Sequence, residues 1–216
     1  KAESEMRIKN VLTTKNGTKI KINNLNLNFK YLPKHYAINV AGILLLVKSL
    51  NLNLNYILDE INNFQPTKGR GNSFKITLKN NEYVKIIDDS YNANPASMRA
   101  ALENVYEIKK LQPSINVVLI IGDMLELGKN TKSFHVKLID IIELIKPRCL
   151  ITIGEHSSII AKKLKKYFAC VSFDNVDQLT KNFFSIIKPQ DVILIKGSNG
   201  IGLFKFTEHL YNNFFC

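Results

Sequence analysis

Cysteine is scarce in this chain, and no set of metal ligands is spaced like a known site. Cys149, Cys170 and Cys216 are odd in number and far apart, which excludes a zinc knuckle or a redox pair and fits a reducing compartment, with the thiols buried or terminal. No set of His, Cys and carboxylate residues has zinc-ligand spacing, and neither a nucleophile elbow nor a nucleophile triad is visible. No apolar run reaches the roughly 18 residues that cross a bilayer. The densest stretch, Ala37 to Leu46, is short and is followed by Lys48. The opening residues, Lys1-Ala2-Glu3-Ser4-Glu5-Met6-Arg7, contain neither the apolar core nor the small-residue cleavage site of an export signal. The expectation is a soluble, cytoplasmic protein without membrane insertion. Lys rather than Met stands first, so the sequence is also expected to begin inside a longer reading frame.

Positive charge is plentiful, with a formal net charge of +12 over 216 residues. Such an excess is one footprint of nucleic-acid binding, but its distribution points elsewhere. The lysines are scattered, no aromatic residues interleave with them, and only Lys162-Lys163-Leu164-Lys165-Lys166 forms a cluster, at the end of a predicted helix where cations favour the helix dipole. A coding bias toward Lys, Asn and Ile accounts for the excess, and Asn23 to Asn28 shows the same bias. No nucleic-acid partner is expected.

With 45% hydrophobic residues the chain can fill one α/β domain and a smaller piece. Ile20, Ile22, Leu25, Leu27 and Phe29 alternate with polar residues and predict one or two half-buried strands around an Asn-Asn turn. A helix from His35 to Leu50, apolar around much of its cylinder, is expected to be buried on most sides, and a second runs from Tyr56 to Phe64. These pieces are expected to be too few for a compact domain. Gln65-Pro66-Thr67-Lys68-Gly69-Arg70-Gly71-Asn72 then breaks periodicity as a linker. Beyond it, Phe74–Leu78 and Val84–Asp88 form a predicted hairpin around Asn80-Asn81. Helices at 95–110, 133–145, 157–166, 176–187 and 203–212 alternate with strands at 117–121, 150–153, 169–173 and 192–195. Continuous apolar strands such as Val117-Val118-Leu119-Ile120-Ile121 suit a parallel sheet covered on both faces, hence a Rossmann-like, doubly wound α/β domain.

Ligands of such sheets bind outside the carboxyl ends of the strands. The polar or glycine-containing segments there are Asp88 to Asn94, Gly122 to Gly128, Gly154 to Ser157 and Lys196 to Gly200, so all are expected on one rim. The first holds carboxylates, a hydroxyl, a phenol and amides able to grip ribose hydroxyls or a substrate amine; it reads equally as an Asx turn and helix cap. Asp123 and Glu126, bracketed by glycines, suit an ammonium group or are merely solvated acids of a β-to-α loop. Lys196-Gly197-Ser198-Asn199-Gly200 suits an anion, although a lone glycine-rich turn is a weak signal. His135 and His209 fall within predicted helices and suit packing or the surface; His156 lies on the rim, where a capping role serves as well.

Taken in order, His35-Tyr36-Ala37-Ile38-Asn39, Gly69-Arg70, Asp89-Ser90-Tyr91-Asn92-Ala93-Asn94-Pro95, Gly122-Asp123-Met124-Leu125-Glu126-Leu127-Gly128 and Lys196-Gly197-Ser198 resemble the motifs of the Mur ligases across nearly the whole chain. The Asp89–Pro95 string is similar to the branch of that family that adds D-alanyl-D-alanine to UDP-N-acetylmuramoyl-tripeptide in peptidoglycan synthesis. The resemblance implies that residues 1–67 are the end of a central ATP-binding domain and 68–216 the family's C-terminal domain. It implies ATP and Mg2+ as cofactors of the intact enzyme, an acyl phosphate on the way to the amide, and closure of the C-terminal domain to exclude water, with Arg70 at the hinge. It further implies ATP contacts at Asn39, Arg70, Asp89 and Tyr91, and substrate contacts at Asn92, Asn94, Asp123, Glu126, Lys196 and Ser198. Tyr36 stands where the family has Asn, and Asn199 where Arg follows Lys-Gly-Ser. No Gly-x-x-Gly-Lys-Thr/Ser loop occurs, nor the family's carbamylated lysine. An upstream segment carrying the phosphate loop is therefore expected as a partner. The other readings are a binding half of a split ligase and a sister amide ligase.

Overall fold

A computed structural model describes residues 6–14, 17–29, 32–78 and 81–215; Lys1 to Glu5, Asn80 and Cys216, named above, lie outside the described residues. The chain divides into two compact units, Lys1–Pro66 and Thr67–Cys216.

The first unit has a core of its own, contrary to the expectation that its pieces were too few. Three antiparallel strands, β1 (Ile8–Thr14), β2 (Gly17–Ile22) and β3 (Leu25–Phe29), form a meander, and two helices follow, α1 (Tyr36–Ser49) and α2 (Leu54–Asn63). The unexpected strand β1 supplies the third member. Its alternation is blurred because Thr13 is buried while Leu12 is exposed, and its register shifts between Ile8 and Asn10. Ile20, Ile22, Leu27 and Phe29 pack on Ala37, Val40, Leu44 and Ile61. The helix α1 is not buried on most sides: within this unit a single layer covers one stripe of it, and Ile38 on another stripe is 71% exposed.

In the second unit β4 (Asn72–Thr77) pairs antiparallel with β5 (Tyr83–Asp88), and β6 (Val117–Gly122), β7 (Cys149–Ile153), β8 (Ala169–Phe173) and β9 (Val192–Lys196) complete a six-stranded sheet. The order is β4-β5-β9-β6-β7-β8, parallel from β5 onward. Every residue of β6, β7 and β9 is buried, as their unbroken apolar runs require of strands covered on both faces. Pleating sends Val117, Leu119 and Ile121 to one face, against α3 (Pro95–Leu111), α5 (Ile139–Ile145) and α6 (Glu155–Leu164). Val118 and Ile120 face the other way, toward α7 (Val176–Ile186) and α8 (Leu203–Phe214). The domain is doubly wound, as its sequence pattern indicates.

One predicted helix is divided. The segment expected as one helix over 133–145 is divided between α4 (Thr131–Val136), which a 3₁₀ turn at Gly128–Asn130 precedes, and α5. The chain tightens between them, where Leu138 N–H donates to the His135 carbonyl. The two halves serve different neighbours, α4 packing on α6 and α5 on α3. A single straight helix cannot turn both stripes inward, so the break lets His135 and Ile142 both be buried.

What the fold does for a site follows from strand order. Because β9 lies between β5 and β6, its last residue, Lys196, is flanked by the loops that leave both neighbours. That is a switch point, where such sheets open a crevice.

Candidate functional site

Lys196 ends β9 and is 1% exposed. A buried ammonium requires a counter-charge and acceptors, and the loop after β5 supplies both. Its Nζ lies 2.8 Å from Asp89 Oδ2 and donates to the Asn92 carbonyl at 2.9 Å. The lysine expected to receive an anion is thus neutralised internally, and it clamps the 89–92 loop to the sheet. Ser198 has the same character. Its hydroxyl donates to the Ala93 carbonyl and accepts from Leu125 N–H at 2.9 Å, tying the β9 loop to both neighbours. Asn199 Nδ2 adds a bond to the Tyr91 carbonyl at 3.1 Å. At this departure from the family pattern, the side chain braces the loop.

Asp88 is buried and gathers the start of the unit around itself. Its Oδ2 accepts from Gly69 N–H at 2.8 Å, and its Oδ1 from both the N–H and the hydroxyl of Ser90. The Ser90 hydroxyl also meets Thr207 Oγ1 of α8 at 2.9 Å. Burial raises the Asp88 carboxyl above its ordinary value, and these donors oppose the rise. The network fixes Gly69 at φ +74°, where an added Cβ would lie 2.7 Å from the Phe204 ring, so only glycine fits. Gly69 in turn accepts from Tyr91 N–H. Arg70 is thereby set with its guanidinium 4.3 Å from the centre of the Tyr91 ring, and Tyr91 meets Phe204 edge-on at 5.7 Å. Tyr91 is 41% exposed, and Arg70 and Asn92 are exposed as well.

Asn94 takes the capping alternative. Its Oδ1 accepts from Ser97 N–H while its own N–H donates to Ser97 Oγ, a reciprocal capping box with Pro95 in the first helical turn. Asn94→Ala is expected to cost about 1 kcal/mol of stability, read as a lower urea midpoint at unchanged slope.

Asp123 also turns inward. Its carboxylate accepts from His156 N–H and Ser157 N–H, capping the start of α6. Glu126, three residues on, is exposed at φ +63°. The pair read alike in sequence therefore divides into one helix cap and one carboxylate presented to solvent.

The structure brings Asp89, Tyr91, Asn92, Asn94, Asp123, Lys196 and Ser198 together on the rim, with Arg70 beside Tyr91 and Glu126 on the loop after β6. The segment Gly154 to Ser157 joins them through Asp123. Asn39 is exposed on α1 in the other unit. The roles of Asp88, Ser90 and Thr207 were not anticipated, because a hydroxyl–carboxylate network between loop and helix leaves no spacing signal. Among the described residues no group of three or more His, Cys, Asp or Glu converges to hold a metal ion.

Known proteins share this architecture. Residues 74–199 match the family profile of the Mur ligase, glutamate ligase domain. A UDP-N-acetylmuramoyl-tripeptide–D-alanyl-D-alanine ligase from Rickettsia prowazekii is 31% identical over 87% of this chain and 40% of its own length. The protein of the same name from Escherichia coli is 27% identical over 100% of this chain and 46% of its own. Among solved structures, MurF from Acinetobacter baumannii superposes with a TM-score of 0.80 at 21% identity, over 99% of this chain and 46% of that one. The MurF ligase from Thermotoga maritima in complex with ADP gives 0.73 at 18% identity, over 98% of this chain and 47% of that one. The chain spans less than half the length of these relatives.

Proposed function

The chain belongs to the Mur ligase family, and on that footing we propose that it is the C-terminal part of the enzyme joining D-alanyl-D-alanine to UDP-N-acetylmuramoyl-tripeptide. The observation that carries this reading is the Asp89–Pro95 loop, clamped by Lys196 at the switch point beside the 122–128 loop. Relatives bearing that ligase's name support the choice of substrates. In this reading residues 1–67 close the central ATP-binding domain and 68–216 are the C-terminal domain.

A carboxylate resists attack by an amine until one oxygen becomes a leaving group. The terminal carboxylate of the tripeptide takes the γ-phosphoryl group of ATP, forming an acyl phosphate as ADP departs with the electron pair of the broken P–O bond. The amine of D-alanyl-D-alanine then forms the C–N bond as phosphate departs with the C–O electron pair, and the excess proton passes to solvent. Arg70, with its guanidinium 4.3 Å from the centre of the exposed Tyr91 ring, is the proposed contact for phosphate charge, and exposed Asn92 the proposed substrate contact. Asn39 is the proposed adenine contact. Glu126 meets the ammonium form of the incoming dipeptide. Asp89, Lys196, Ser198, Asn94 and Asp123 shape the loops that present these groups. Mg2+ would, when bound with ATP, offset negative charge on the transferring phosphoryl group; among the described residues no cluster of three or more His, Cys, Asp or Glu is gathered to hold it.

The 216 residues contain no Gly-x-x-Gly-Lys-Thr/Ser loop, so the β- and γ-phosphates lack a cradle here, and ligation needs a segment supplying one. The reaction draws on ATP and a UDP-linked precursor, which places it in the cytoplasm. Among the described residues no helix is long and apolar enough to cross a membrane. The test offers the complete enzyme ATP, the UDP-linked precursor and a panel of amines. Product with D-alanyl-D-alanine is expected; product only with a single amino acid would move the chain to a sister amide ligase.

A further inference from the structure

The three amides that open the loop after β6 are each held by a different element. Asp123 N–H donates to the Ile153 carbonyl at the end of β7, Met124 N–H to His135 Nε2 at 3.0 Å, and Leu125 N–H to Ser198 Oγ. Glu126 follows with positive φ and an exposed carboxylate. Of the three acceptors, the His135 ring is the one that comes from a helix. It is fully buried, and its Nδ1 lies 2.8 Å from the Thr131 carbonyl one turn back on α4. A carbonyl only accepts, so Nδ1 carries the proton; an amide only donates, so Nε2 is bare. Both partners dictate one neutral tautomer.

We propose that His135 is the positioning residue of the amine site: in its Nδ1–H form it latches Met124 and thereby sets where Glu126 presents its carboxylate, without touching substrate. This rests on the reading of Glu126 as the ammonium contact. The geometry explains why a histidine is needed rather than an apolar residue of similar size. An acceptor is required at the far end of the ring and a donor at the near end, and both partners are backbone groups. Two other titratable groups face the ring: Asp123 Oδ1 at 3.9 Å from Nε2, and His156 with ring centres 5.6 Å apart. Asp123 favours the charged imidazole and His156 opposes it, and burial, the largest influence, holds the ring below the ordinary histidine value. The latch therefore persists through neutral pH and is lost as pH falls through that lowered value, when a proton on Nε2 confronts Met124 N–H.

The test uses the 216-residue chain labelled with 15N. In the native chain the ring is expected to show the Nδ1–H tautomer pattern, a slow Met124 amide and a Glu126 coupling constant characteristic of positive φ. His135→Leu is expected to speed Met124 exchange about ten- to hundredfold, the effect of leaving a buried donor without its acceptor, and to average the Glu126 coupling. His135→Gln, which retains a donor and an acceptor, is expected to restore most of both. D-alanyl-D-alanine added as the probe is expected to shift Leu125 and Glu126 in the native and Gln chains and to lose that effect in the Leu chain. An Nε2–H tautomer, or unchanged Met124 exchange in a folded His135→Leu chain, overturns the latch. Intact dipeptide shifts with the latch broken overturn the positioning role. If the native chain itself gives no shift at Glu126 while the latch readouts hold, the substrate assignment of the loop fails, and the positioning role with it.

Discussion

Asp89→Ala is expected to lower the stability of the C-terminal unit by about 3–5 kcal/mol, the range found when a buried ion pair loses one partner. The cost comes from the charge left behind. Lys196 is 1% exposed and cannot reach water without distorting the end of β9, and the Asn92 and Asp89 carbonyls that remain carry only partial charge. The reverse change has a smaller effect. In Lys196→Met the carboxylate that loses its lysine is Asp89, which is partly exposed already and can draw on solvent, so about 1–2 kcal/mol is expected. The double variant should fall well short of the sum, because the second change removes the charge that the first stranded. Urea unfolding of the four proteins gives the cycle. Equal losses for the two single changes would show that Lys196 is better solvated than its burial indicates.

Gly154→Ala strikes the rim from the opposite side. Gly154 has φ +107° and precedes α6, and an alanine Cβ there would lie 2.6 Å from the Asp123 carboxylate. The backbone strain alone costs about 1–3 kcal/mol. Displacing the carboxylate removes its bonds to His156 and Ser157 N–H, worth about another 0.5–2 kcal/mol as a lost helix cap. A total of about 1.5–5 kcal/mol follows, with amide exchange accelerated first in the opening turn of α6. A loss of about 1 kcal/mol, the backbone strain alone, with amide exchange in the opening turn of α6 unchanged, would mean that Asp123 has another rotamer available and that its capping role is dispensable.

The sheet was legible because burial on both faces leaves an unbroken apolar run, and β6, β7 and β9 carry such runs. Their alternation with helices then set which segments share a rim. Other features depended on tertiary contacts that leave no period in the chain. The strand β1 was hidden by its shifted register and by an exposed Leu12 opposite its buried Thr13. The break between α4 and α5 arises from two neighbouring helices demanding different stripes of one segment. At the rim, composition identified the polar groups but could not divide them. Asp123 and Glu126 lie three residues apart in one loop, and only the position of the α6 N-terminus turns the first inward. Lys196 reads as an anion ligand in sequence, whereas the order β5-β9-β6 places a carboxylate beside it.

That division between supporting and contacting groups is tested most directly by ligation kinetics of the complete enzyme, with ATP and D-alanyl-D-alanine varied separately in Arg70→Ala and Glu126→Gln. Loss of a hydrogen bond to a charged group corresponds to roughly tenfold or more. The account predicts that Arg70→Ala raises KM for ATP about tenfold with KM for the dipeptide little changed, and that Glu126→Gln does the reverse. Unchanged constants in both variants, or the same rise for both substrates in each, would contradict it.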